Sequence, residues 1–189
     1  MDLKLEGKTA VVTGGSVGIG KAIALCLAQE GVDVAICARR KDVLDDTAAE
    51  IARATNRKIV PLVADLTKTE DANAFIEGAA EALGRIDILV NNAGAAAGGT
   101  LESLTDDDWE AALALKFFGY VRCTRAVVPY MKKQGGGRVV NLIGNDGVKP
   151  SYWEVAPGAA NAAGQNLTMS LAGQYGKDNI SFVAVNPGP

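Results

Sequence analysis

Short runs rich in Val, Ile and Ala, each the length of one strand, alternate with longer helical stretches from one end of the 189-residue chain to the other. This alternation constrains the fold more than any other feature. Parallel strands buried on both faces are apolar at nearly every position, and joining two of them requires a crossover long enough to hold a helix. Strands are predicted over residues 9–13, 33–38, 58–63, 86–91, 138–143 and 180–185, with helices over 19–30, 43–55, 70–83, 105–133 and 158–175. Right-handed crossovers then place helices on both faces of a doubly wound parallel sheet, the α/β Rossmann-like class. Each strand is expected to be covered on both sides.

No Pro/Ser-rich linker or shift of composition divides the chain, so residues 1–189 are expected to form a single dinucleotide-binding domain. The sequence has no histidine, which excludes Ser-His-Asp and Cys-His nucleophiles and His-based metal sites; no metal site is expected. A formal net charge of -3 with no basic run beyond Arg39 to Lys41 and Lys132–Lys133 argues against nucleic acid as a partner. Cys26, Cys37 and Cys123 lack CxxC spacing, so reduced thiols in a cytoplasmic protein are expected. The stretch MDLKLEGKTAVV has no signal-peptide pattern and no apolar run reaches membrane-spanning length, so no membrane association is expected.

The stretch TAVVTGGSVGIGKAIALCLA joins the first strand to the first helix through Gly14, Gly18 and Gly20. Glycine allows the chain to turn sharply and approach a pyrophosphate, while the helix N-terminus offers free N–H groups and the positive end of its dipole. The second strand runs into ICARR, so Ala38, Arg39 and Arg40 stand where an NAD site usually places an acid against the ribose hydroxyls. Arginine there pairs with a 2'-phosphate, which favours NADP over NAD.

Four motifs follow one another in order: TGGSVGIG, ADL at 64–66, NNAG at 91–94 and NPG at 186–188. Together they resemble the short-chain dehydrogenase/reductase family along the whole chain. The resemblance implies strand order 3-2-1-4-5-6. It places Ser16, Val17 and Ile19 with Gly14, Gly18 and Gly20 around the pyrophosphate, and Asp65 and Leu66 at the adenine. Asn92, Ala93 and Gly94 would run along the ribose, with Pro187 and Gly188 beside the nicotinamide. It further implies a small carbonyl or alcohol substrate, and a homodimer or homotetramer. Family members usually run further, so a core without the last family strand is expected.

The resemblance does not extend to proton transfer. The family uses a Tyr with a Lys four residues later on one helix, a Ser at the preceding strand end and an Asn on the long helix. Register places Pro157, Asn161, Gly144 and Lys116 at those four positions. No Tyr in the chain is followed four residues on by Lys. Lys116 lies in an apolar helical stripe with Trp109, Leu113, Tyr120 and Val127, so its ammonium is expected in a desolvating cleft, able to donate a proton to a carbonyl oxygen. Tyr152, in a Gly/Pro-rich loop after the fifth strand, is a second candidate donor, or part of a hydrophobic lid with Trp153. Asn145, Asp146 and Lys149 in the same loop are placed to bind substrate, the alternative for Asp146 being a plain turn, which is the expected role. The chain is thus expected to be a divergent NADP(H)-dependent oxidoreductase; the alternative is a non-catalytic cofactor-binding sensor or scaffold.

Overall fold

The computed structural model describes residues 3–95 and 97–188. In chain order the elements are β1 (Thr9–Thr13), α1 (Gly18–Gln29), β2 (Asp33–Ala38), α2 (Lys41–Thr55), β3 (Ile59–Val63), α3 (Thr69–Leu83), β4 (Ile88–Asn91), α4 (Asp106–Lys116), α5 (Phe118–Lys133), β5 (Gly137–Leu142), α6 (Val155–Tyr175) and β6 (Ile180–Val185). A short 3-10 turn, Asn145–Gly147, separates β5 from α6. The strands form one parallel sheet in the order β3-β2-β1-β4-β5-β6. The order reverses between β1 and β4, and their diverging carboxyl ends open a crevice there.

Side chains alternate across the sheet and build two cores. Val11, Leu89 and Val139 pack under Phe75 and Ile76 of α3 and Val127 and Met131 of α5. On the other face Ala10, Val12 and Ile36 meet Ala24 of α1 and Leu44 and Ile51 of α2. Full burial of an aliphatic or aromatic side chain contributes roughly 1.5–3 kcal/mol, so these two layers supply the main drive to fold. The edge strand β3 contains Pro61, tolerated there because a strand outside its edge is not needed to accept the missing N–H.

Three expectations change. First, β6 is covered on one face only: Ile180 and Phe182 are buried, while Val183 and Val185 are exposed, because α5 and α6 lie on the same side. Second, the predicted 105–133 helix is two helices broken at Phe117, whose backbone (φ -103°, ψ -60°) stays right-handed but departs from ideal helical angles. Arg122 accounts for the break: its guanidinium donates to the Ala114 carbonyl at 2.9 Å and the Leu66 carbonyl at 3.2 Å, taking up an acceptor at the end of α4, and lies over the Phe118 ring. Third, α6 begins three residues earlier than predicted, at Val155. Pro157 sits in its first turn, where a missing N–H costs nothing because those groups have no intrahelical acceptor.

Candidate functional site

A cleft of about 720 Å³ lies along the carboxyl ends of β1, β2, β3 and β4 and reaches β5. Its floor begins at the glycine turn. Gly14 (φ +66°) and Gly18 (φ +57°) take left-handed backbone, which glycine adopts without a Cβ penalty. Gly20 is required by contact: a Cβ there would lie 2.1 Å from the Gly14 carbonyl oxygen and 2.5 Å from Asn92 Nδ2. That amide donates to the carbonyls of Thr13 (2.9 Å) and Gly14 (3.2 Å), and the buried Thr13 hydroxyl accepts the backbone N–H groups of Asn92 (2.8 Å) and Ala93 (2.9 Å). The end of β1 and the end of β4 are thereby tied into one wall.

Gly14, Ser16, Val17, Ile19 and Gly20 all line the cleft; Gly18 shapes the turn without lining it. Ser16 is buried, and its carbonyl accepts the Thr47 hydroxyl at 2.8 Å, which fixes the turn to α2. Val17 and Ile19 stand half exposed at the opening. The N-cap of α1, Val17, supplies no side-chain acceptor and the first turn has no acid, so the positive end of the helix faces the cleft with its N–H groups available. Such a terminus fits a phosphate.

Arg39 and Arg40 follow β2, exposed on the cleft rim, with Arg40 as the N-cap of α2. Asp65 and buried Leu66 follow β3. The Thr67 hydroxyl, donating at 2.8 Å, holds the Asp65 carboxyl below its ordinary value, with Lys68 and Arg39 adding their fields. Asn92, Ala93 and Gly94 continue the wall after β4. Pro187 lines it from beyond β6, brought there by two hydrogen bonds that prolong the strand pairing, Ile143 N to Val185 O (2.8 Å) and Asn145 N to Pro187 O (3.1 Å). Gly188 packs against Asn145 and does not line the cleft. The sequence-predicted cofactor residues thus converge with two exceptions, and the donor set of a bare helix N-terminus plus paired arginines suits an anionic dinucleotide.

Lys116, the last residue of α4, lies on the same wall. Its stem crosses Gly94, where a Cβ would come within 2.6 Å of Cδ and 3.3 Å of Nζ. Burial pushes the ammonium below the ordinary lysine value, while the charge of Asp146 works in the opposite direction. The expected stripe partner Tyr120 is turned elsewhere: it is buried on α5 and its hydroxyl donates to the Leu142 carbonyl at 2.7 Å, fastening α5 to the end of β5. Tyr152 stands outside the cleft wall, 74% exposed and edge-on to Trp153 with ring centroids 4.4 Å apart.

Further wall residues offer no charged group: Cys37, Ala64, Leu115, Leu142 and Ile143 among them. Their only signal in the sequence is position, since each lies at or just past a strand's carboxyl end or on the last turn of α4. Burial raises the Cys37 thiol to about 12, so it packs as a small apolar group.

The model of the family described as short chain dehydrogenase matches residues 8–189. The chain belongs to that family. This short-chain dehydrogenase is 34% identical over 186 residues to the 3-oxoacyl-[acyl-carrier-protein] reductase FabG of Thermotoga maritima, covering 98% of this chain and 75% of the relative. The structure of L-sorbose reductase from Gluconobacter frateurii complexed with NADPH and L-sorbose superimposes with a TM-score of 0.96 at 34% identity, covering all of this chain and 72% of that one. An NAD+-bound xylitol dehydrogenase gives 0.94 at 30% identity, covering 98% and 73%. The family relation makes this short-chain dehydrogenase an oxidoreductase of NAD(P)-using type. Among its described residues no helix is long and apolar enough to cross a membrane, and no cluster of three or more His, Cys, Asp or Glu forms a metal-binding group.

Proposed function

We propose that residues 1–189 act as one dinucleotide-binding domain that exchanges a hydride between NADP(H) and a small carbonyl or alcohol, with Lys116 as the proton donor in place of the family's usual Ser, Tyr, Lys and Asn. Arg39 and Arg40 at the β2 rim would hold a 2'-phosphate and favour NADP over NAD. The bare start of α1 would hold the pyrophosphate, Asp65 and Leu66 the adenine, Asn92 to Gly94 the ribose, and Pro187 the nicotinamide side, with Gly188 behind it against Asn145. The bound cofactor supplies or removes the hydride.

The observation that carries this reading is Lys116: a half-buried ammonium over Gly94, on the wall of the cleft and depressed by desolvation. In the reducing direction one Nζ proton passes to the substrate oxygen, leaving a neutral amine that water reprotonates; in the oxidising direction the neutral amine accepts the hydroxyl proton. Lowering a lysine toward neutrality makes both states accessible. Tyr152, exposed outside the cleft wall and edge-on to Trp153, is the second donor candidate, the alternative being a hydrophobic lid with Trp153. A homodimer or homotetramer in the cytoplasm completes the proposal.

Fluorescence titration with NADPH and NADH, followed by turnover of a panel of ketones, aldehydes and alcohols by wild type, Lys116→Ala and Tyr152→Phe, tests it. NADPH binding retained in Lys116→Ala with turnover lost supports the reading. Tight NADPH binding with no turnover of any substrate by wild type favours a sensor or scaffold, and no binding removes both.

A further inference from the structure

We propose that Asp146 is the positioning partner of Lys116: its carboxylate occupies the space a side chain at residue 144 would take, is tied there by Asn161, and keeps the Lys116 ammonium directed at the cleft. The inference deepens the proposed function and rests on Lys116 as its proton donor. It revises the expectation that Asp146 serves only a turn.

The stretch GNDG ends β5 and forms the 3-10 turn Asn145–Gly147. Asp146 Oδ1 accepts a hydrogen bond from Asn161 Nδ2 at 2.8 Å. A Cβ on residue 144 would lie 2.2 Å from that oxygen and 2.4 Å from that nitrogen, so a side chain at 144 would push the two groups off this position. Asn161 is 3% exposed, and its Oδ1 has no hydrogen-bond partner. A buried amide with half its capacity unused is costly. Here its one bond goes to one carboxylate beside the cleft.

The surrounding charges leave Asp146 as the group acting on Lys116. Helix α6, packed against both α4 and the turn, has no charged residue from Val155 to Tyr175, and its N-cap Glu154 lies by Gly98. On α4 itself Asp106, Asp107 and Asp108 occupy the opposite end of the helix, and Glu110 is six residues from Lys116. On α5, Arg122 is engaged with the Leu66 and Ala114 carbonyls. Lys149 is exposed beyond the turn, and Arg39, Arg40 and Asp65 belong to the β2 and β3 end of the cleft. The ion pairs formed among the described residues do not include Lys116. Asn91 of β4 pairs with Asn141 of β5, and three residues past that pair the Lys116 stem crosses Gly94 while the Asp146 carboxylate covers Gly144, so the two charges sit over neighbouring strand ends. With no ion pair between them, Asp146 acts on Lys116 through its field and leaves the ammonium hydrogens for an oxygen in the cleft.

The experiment is NMR titration of the lysines after ¹³C reductive methylation, with the Lys116 signal assigned by its loss in Lys116→Arg. Wild type is compared with Asp146→Asn, Asn161→Ala and Gly144→Ala; NADPH titration and circular dichroism report folding. In Asp146→Asn the Lys116 midpoint is expected to fall by about half a pH unit or more, as loss of a nearby opposite charge requires, and the basic limb of the kcat profile to move with it. Gly144→Ala and Asn161→Ala, which displace or release the carboxylate, are expected to shift it in the same direction by less. Asp146→Asn conserves shape and carries the test if either of the others fails to fold. An unchanged Lys116 midpoint in folded Asp146→Asn overturns the pairing, even if Lys116→Ala abolishes turnover. A shifted midpoint without turnover of any carbonyl or alcohol upholds the pairing while the reductase reading fails.

Discussion

Thr13→Val isolates the hydroxyl that joins β1 to the wall of the cleft. The two side chains are nearly the same shape and Thr13 is fully buried, so packing changes little. What disappears is the acceptor for the Asn92 and Ala93 N–H groups, at 2.8 and 2.9 Å. An N–H left without a partner costs about 1–3 kcal/mol. Both residues are half-buried, so water recovers part of that and the expected loss is about 2–4 kcal/mol in total. The hydroxyl's own donation to Val90 O is long at 3.4 Å and adds little. Thr13→Ser keeps the acceptor and deletes one buried methyl, an expected loss of about 1 kcal/mol. For a chain of this size each kcal/mol lowers Tm by roughly 2–4 °C, which separates the two variants clearly. Urea and thermal unfolding followed by circular dichroism measure the difference, and NADPH affinity should weaken more in the Val than in the Ser variant. If Thr13→Ser is destabilised as much as Thr13→Val, the account of this wall as hydrogen-bonded through Thr13 is wrong.

Other outcomes follow from the same structure. Arg39→Ala with Arg40→Ala should weaken NADPH binding at least tenfold while leaving NADH nearly unchanged; equal loss for both would remove the 2'-phosphate assignment. Gly20→Ala places a methyl against the Gly14 carbonyl, and the overpacking, about 1–3 kcal/mol, should exceed the gain in helix propensity, about 1 kcal/mol; NADPH titration and unfolding should both register it. Lys116 has a folded-state pKa below its unfolded value of 10.5, so the unfolded chain binds more protons between the two and stability should rise with pH through that window. Lys116→Met should then be at least as stable as wild type near neutrality, with its advantage fading toward pH 10; a wild type with no such rise contradicts the desolvation. Burial raises the thiols of Cys37 and Cys123, so iodoacetamide at mildly alkaline pH should label exposed Cys26 alone in the native protein and all three cysteines in urea.

The sheet was legible because its signals are local. Val, Ile and Ala runs mark the strands, and β1, β2 and β6 appear at the expected bounds, although β6 is covered on one face alone. The glycine turn and the ICARR rim were equally readable, since each depends on residues adjacent in sequence. Features set by distant partners were not. The break at Phe117 follows from Arg122 reaching the Ala114 carbonyl, and helical periodicity cannot report a hydrogen bond between side chain and backbone eight residues apart. The exposure of Val183 and Val185 depends on which helices cover β6, not on β6 itself. Asp146 resembled an ordinary turn residue because its partner, Asn161, lies fifteen positions away on a helix whose composition suggested only close packing.

That close packing leaves α6 with little to hold it lengthwise. A helix faced with Ala and Gly offers few side-chain knobs to resist sliding along its axis, and a slip of one residue is a displacement of about 1.5 Å. The hydrogen-bonded series from Asn91 to Asn141 (2.9 Å), Asn141 to the Thr168 hydroxyl (2.9 Å) and Thr168 to the Gly164 carbonyl (2.7 Å) indexes the helix against β4 and β5. Thr168 lies seven residues beyond Asn161, about 10 Å along the axis. An alignment pin at that distance sets whether the amide of Asn161 reaches its carboxylate, so a substitution at Thr168 or Asn141 would put the cleft out of register without touching it.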